Sequence, residues 1–120
     1  MKYVLLIYGD EKAWAGLPPE QQEQLGSEQF KRYSEYSQWL EEKGLFKAGD
    51  ALHGTEQATT VRVRDGKTAT TDGPFAETKE QLGGYYVIEA ENLDQAIDAA
   101  ARCPGAETGS MEVRPIMDIM

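Results

Sequence analysis

Thr70–Glu89 reads TTDGPFAETKEQLGGYYVIE, with a turn at one end and a strand at the other. Gly73 frees the backbone and Pro74 fixes it, so the chain turns sharply after Thr71. Phe75 is then placed to plug back into the core. Asp72, Glu77, Lys79 and Glu80 crowd into the short segment before Gly83-Gly84, a pair that permits close backbone approach. Gly84–Ala90 follows as a strand that is apolar on both faces of its middle, with Tyr85 and Tyr86 pointing opposite ways. A half-exposed strand shows one polar face, so this strand is expected to be covered on both sides.

Outward from this stretch, Lys2–Tyr8 (KYVLLIY) has the same doubly apolar character and reads as a second central strand. Gly9–Leu17 is expected to be a loop containing Trp14. Pro18-Pro19 opens a helix that runs to about Lys43, since a first-turn proline loses no needed donor. Phe30, Tyr33, Ser37 and Leu40 mark its inner stripe and Tyr36 widens it. Glu28 and Arg32 are spaced as an i,i+4 pair. Gly26 is the point where the first turns can break from the rest. Leu45–Leu52 reads as a strand with a bulge at Gly49.

Asp65-Gly66 is a two-residue hairpin turn between alternating runs. In that register Val61 and Val63 share a face with Thr68 and Thr70. Arg62, Arg64 and Lys67 share the other, with Arg64 opposite Lys67. Asn92–Cys103 is a helix with Asn92 as cap and Gln95 three residues on. Leu93, Ala96, Ile97 and Ala100 form its stripe and Pro104 stops it. Gly105–Ser110 is a loop. The final strand carries Pro115, which favours an edge or a bulge.

The order strand, helix, strand, hairpin, strand, helix, strand describes two βαβ halves. It points to one α+β domain over residues 1–120, a ferredoxin-like sandwich with an antiparallel sheet and an inserted β-hairpin. Two helices cover only one face of such a sheet. A second copy of the sheet is the simplest cover for the other, so a homodimer, a dimeric α+β barrel, is expected. The alternative cover is the inserted hairpin with the longer loops.

Bulk properties narrow the function. The chain has 120 residues, enough for a single core, and a net charge of −9. That charge repels phosphate backbones and argues against direct nucleic-acid binding. No apolar run approaches the roughly 18 residues of a spanning helix. The short N-terminal apolar run lacks the features of a signal peptide, so a cytoplasmic location is expected. Cys103 and His53 are single residues of their types, so one chain holds no His/Cys zinc cluster. No calcium loop, phosphate loop, nucleophile elbow or dinucleotide fingerprint is present, and no cofactor is expected.

TDGPFAETKEQLGGYYVIE closely resembles the signature of the DGPF-domain branch of the YCII-related proteins, named for the tetrad found here as Asp72-Gly73-Pro74-Phe75. YVLLIY, LEEKGLFKAGDAL and MEVRPI extend the resemblance over nearly the whole chain. It implies a ferredoxin-like fold that dimerises as an α+β barrel. The wider superfamily resembles small enzymes with a proposed His–Asp pair whose histidine sits early in the first helix. This chain has no histidine between Pro18 and Lys43, so that pair is not carried over. In bacteria the branch is often encoded beside, or fused to, an extracytoplasmic-function sigma factor, which implies a regulatory accessory role.

Two functions follow as expectations. One is a binding or regulatory module working with a sigma factor or a small ligand. The other is a cofactor-free enzyme acting by proton transfer on a small anionic molecule. For the latter, Asp72, Glu77, Glu80 and His53 are the candidate acids and bases, and Lys79 or Arg114 the electrostatic partner. Arg62, Arg64 and Phe75 are candidate ligand contacts. Each has a structural alternative. The loop charges can form a local ion-pair network, the hairpin cations a solvated face, and Arg114 a paired strand residue. His53 can be an exposed loop residue, and in a regular strand it points away from Asp50.

Overall fold

The computed structural model of the chain describes residues 1–119. In its first half β1 (Lys2–Gly9) leads to α1 (Glu11–Ala15), α2 (Pro19–Glu42) and β2 (Phe46–Ala51). A single 3-10 turn at Thr55–Gln57 precedes the hairpin of β3 (Thr59–Arg64) and β4 (Lys67–Asp72). Then come β5 (Gln81–Glu89), α3 (Leu93–Ala101), α4 (Gly105–Thr108) and β6 (Ser110–Pro115). Four strands form an antiparallel sheet in the order β2-β5-β1-β6, and β3 pairs only with β4. With the hairpin set aside, that order is consistent with a ferredoxin-like α+β fold.

The register sorts the side chains. Tyr3 lies opposite Ile88 and Leu5 opposite Tyr86, and all four are buried. Val4 opposite Val87 and Leu6 opposite Tyr85 face the other way and are only partly buried. The buried set packs with Tyr36 and Leu40 of α2, Ala96, Ala99 and Ala100 of α3, and Cys103. The Tyr36 hydroxyl donates to the Ala99 carbonyl at 2.6 Å, tying the two helices together. The Tyr36 ring meets Tyr86 edge-on, with centroids 5.2 Å apart. The helices therefore cover one face of the sheet and the single chain leaves the other uncovered. The smallest extent, 18 Å, fits one sheet with one helix layer, since a helix with its side chains is about 10 Å across.

The hairpin forms in the expected register, with Arg64 opposite Lys67 and Val63 opposite Thr68. Asp65 and Gly66 take φ of 53° and 75°, the positive values that a tight hairpin turn requires. Nearly all of its residues are exposed, so it does not cover the open sheet face. The radius of gyration, 16.4 Å, exceeds the roughly 13.6 Å of a compact chain this long.

Several local expectations are corrected. Gly9–Leu17 contains α1, because the Asp10 carboxylate accepts from the Lys12 and Ala13 N–H groups and nucleates a turn. Gly105–Ser110 likewise contains α4. Helix α2 runs unbroken through Gly26. Phe30 is 76% exposed, so the stripe of α2 is carried by Tyr36 and Leu40. In α3 Ala96, Ala99 and Ala100 face the core while Leu93 and Ile97 stand half exposed, since small side chains let this helix approach the sheet. Arg32 pairs with Glu107 rather than Glu28, through two bonds of 2.9 and 2.7 Å. The β2 irregularity falls between Phe46 and Ala48, not at Gly49. Gly49 stays in register opposite Tyr86, where a Cβ would lie 2.7 Å from the Tyr86 ring and only glycine fits.

Candidate functional site

The turn at Asp72-Gly73-Pro74-Phe75 is held from behind. Gly73 N–H donates to the Ala58 carbonyl at 2.7 Å, and its own carbonyl accepts from Thr60 Oγ1 at 2.8 Å. These bonds tie the turn to the start of β3, so it does not fold back over the core. Phe75 is accordingly 80% exposed, which corrects its expected role as an inward plug. Asp72, Glu77 and Lys79 are exposed, while Glu80 is partly buried and accepts from Ser110 Oγ at 2.7 Å. Among the described residues no ion pair joins these four charges.

A cavity of about 670 Å³ opens beside the turn. It brings together His53, Glu80 and Phe75 with Tyr8, Leu52 and Leu82. His53 Nδ1 lies 3.4 Å from Gln57 Nε2. Asp72, Glu77 and Lys79 do not line it. Arg62 and Arg64 stay on the exposed arm, where Arg64 donates to the Val63 carbonyl at 3.0 Å. Arg114 sits exposed on β6 opposite Val4, with no ion pair among the described residues.

A second cavity, of about 710 Å³, lies among α1, α2 and the adjoining ends of β1, β2 and β5. Six aromatic residues line it: Tyr8, Trp14, Tyr33, Phe46, Tyr85 and Tyr86. Gly49 and Gly84 line the strand side. A side chain at Gly84 would press on the Asp50 carbonyl at 3.1 Å. The bare backbone thus keeps both the strand pairing and the space. Trp14 lies over Gly26 of α2, where a Cβ would touch the indole at 3.7 Å. Helix α1 is moored by Gln22 Nε2 on the Trp14 carbonyl at 3.0 Å. The Glu11 carboxylate adds bonds from Thr55 N–H and Oγ1 at 2.9 and 2.6 Å.

The polar groups of this cavity are few. Ser37 Oγ and the Tyr86 hydroxyl share a hydrogen bond of 2.9 Å, whereas on the opposite face of the sheet the Tyr85 hydroxyl donates to Asp50 Oδ2 at 2.6 Å. Burial pushes the Tyr33 and Tyr86 hydroxyls up from their ordinary pKa. The hydrogen bond to the Asp50 carboxylate does the same for Tyr85. All three are therefore neutral hydroxyls near pH 7. Cys103, 3.9 Å from the Tyr33 hydroxyl, is also raised, chiefly by burial. None of the twelve lysines and arginines lines either cavity. Among the described residues no three of His, Cys, Asp or Glu are grouped to hold a metal ion.

The larger cavity draws on residues the sequence placed in the core or passed over: Tyr33, Ser37, Gln29 and Asp50. The available signal was Ser37, a hydroxyl in the middle of an otherwise apolar helical stripe.

No helix among the described residues is long and apolar enough to cross a membrane. The chain matches the model of the YCII-related domain over residues 1–120. It is 38% identical, over 118 residues, to an uncharacterised protein of Rhizobium meliloti (strain 1021). That alignment covers 97% of this chain and 92% of the relative. The match spans every strand and helix that shapes the two cavities, and on it the chain belongs to the YCII-related domain family.

Proposed function

We propose that this YCII-related chain is a homodimeric accessory module that binds a small molecule in the larger cavity. The cavity itself carries the reading. Its volume, about 710 Å³, is in the range of small-molecule sites, and its wall is apolar with a few placed hydroxyls. No nucleophile, base and orienting group stand together there. The dimer is supported by the uncovered sheet face of Val4, Leu6, Tyr85 and Val87. Placement in the DGPF branch and a sigma factor as protein partner are what the resemblance of Asp72–Glu89 implies, a cytoplasmic location is what the short N-terminal apolar run suggests, and together they complete the regulatory reading.

Trp14 supplies the test. In a Trp39→Phe variant it is the one remaining indole, and it forms the roof of the cavity. Titration with the neutral dye Nile red should change Trp14 emission saturably. An unchanged spectrum in a folded protein contradicts the reading.

A second reading, proton transfer on a small anionic substrate, is favoured by one observation: His53 and Glu80 both line the smaller cavity. It expects catalysed exchange of the methyl protons of pyruvate in D2O, lost in His53→Ala. Exchange at the buffer rate contradicts it.

A further inference from the structure

We infer that the larger cavity takes an uncharged, flat, ring-bearing molecule with a hydroxyl or carbonyl group at each end. The inference rests on the reading of that cavity as the binding site, and it names the class of occupant.

Charge is the first observation. No lysine, arginine or histidine lines the cavity. Strand pairing sets Asp50 opposite Tyr85 and turns both side chains to the sheet face away from α2, so that pair brings no charge to the wall. The remaining carboxylate, Asp10, sits at the start of α1 and accepts from the Lys12 and Ala13 N–H groups. An anionic ligand therefore finds no cation. A cationic one would exchange its water for apolar walls and a carboxylate already engaged in capping a helix. An uncharged ligand meets neither cost.

The second observation is where the polar groups stand. Leu25, Gln29, Tyr33 and Ser37 are spaced four apart on α2 and all line the cavity, so one ridge of the helix forms its long wall. Gln29 and Ser37 are separated by about 12 Å along the helix axis. Gln29 is partly buried, and its side-chain amide makes no hydrogen bond among the described residues. It offers a ligand one carbonyl oxygen and two N–H donors. At the other end, the bond between Ser37 and Tyr86 uses one hydroxyl proton of the pair and leaves the other free to donate. Each end of the trough can thus both give and accept a hydrogen bond.

The third observation is shape. On the strand side the cavity is lined by Gly49, Ala51 and Gly84, which pair with β5 or β2 on the face that carries Tyr86. Bare backbone and one methyl make a flat floor there. Trp14 and Phe46 add aromatic faces, and about 710 Å³ leaves room for a frame of two or more rings.

The test keeps one frame and changes its ends: 4,4′-dihydroxystilbene, 4-hydroxystilbene, stilbene-4,4′-dicarboxylate and 4,4′-bis(trimethylammonio)stilbene, titrated calorimetrically into the full chain at pH 7. The diphenol is expected to bind about tenfold more tightly than the monophenol, as one added hydrogen bond allows, and the two charged probes not to bind. Gln29→Leu should bring the diphenol down to the level of the monophenol and leave the monophenol unchanged. Tightest binding by either charged probe overturns the uncharged class and leaves the cavity as a site. Equal binding of the two phenols, or a Gln29→Leu protein in which their ratio is unaltered, overturns the two-ended assignment. Binding of none of the four overturns the class. The Trp14 response to Nile red then separates the two failures: a saturable change keeps the cavity as a site, and no change overturns both.

Discussion

Ser37 Oγ and the Tyr86 hydroxyl meet at 2.9 Å, joining the middle of α2 to β5 where the larger cavity reaches the core. Tyr86→Phe removes this bond and keeps the ring that packs on Tyr36 and Phe46. The expected cost is about 1 kcal/mol, the net worth of one such hydrogen bond. For a chain of this length that lowers the melting temperature by about 4 °C. A thermal melt followed by circular dichroism reads it. A drop several times larger would mean that the hydroxyl supports more than one contact.

Leu40 and Phe30 lie on the same helix and read alike as apolar positions, yet Leu40 is fully buried and Phe30 is 76% exposed. Leu40→Ala is expected to cost about 2–5 kcal/mol, because the vacated volume sits against the sheet. Phe30→Ala should change stability by no more than about 0.5 kcal/mol. Urea midpoints of the two variants check the contrast.

Alkali should unfold the protein through its core. Tyr33, Tyr36 and Tyr86 have ordinary pKa values of 10.0 and Cys103 of 9.0, and burial raises all four. A raised folded-state pKa means the neutral form is favoured by folding. The stability it contributes is complete below the ordinary value and is lost as pH climbs above it. Urea midpoints should therefore fall between pH 9 and 11. On the acid side, the bidentate bond from Arg32 lowers the Glu107 pKa below 4.5. Its contribution is present above that value and fades below it, and both side chains are exposed, so the acid effect should be the smaller one.

Leu6→Glu places a charge on the uncovered sheet face, beside Tyr85 and Glu112. If that face pairs with a second copy, light scattering on the unaltered chain gives twice the 13.3 kDa monomer mass, and the variant gives the monomer mass. An unaltered chain at 13.3 kDa, or a variant still dimeric, contradicts that pairing.

The fold was largely legible because its strongest cues are local and mutually consistent. Lys2–Tyr8 and the middle of Gly84–Ala90 are apolar on both faces, Asp65-Gly66 fixes a hairpin register, and Asn92 caps α3 through the Gln95 N–H at 2.9 Å. Pro115 sits on the edge strand β6, where a missing donor is tolerated. The candidate site was less legible. Charge density drew attention to Asp72, Glu77 and Lys79, but nothing in spacing shows whether a loop charge faces a cavity or water. The larger cavity is assembled from Tyr33 and Ser37 on α2, Asp50 on β2, Tyr86 on β5 and Trp14 on α1, residues that tertiary packing alone brings together. Phe30 shows the converse: its helical spacing is right for the core, yet its side chain is exposed.

The binding site itself is tested most directly by mapping backbone and indole amide resonances of the full chain during titration with Nile red. Shifts are expected at the Trp14 indole, Tyr33, Ser37, Gly49, Asp50 and Gly84, with His53, Phe75 and Glu80 unmoved. Shifts confined to the smaller cavity, or scattered over the surface without saturation, would contradict it.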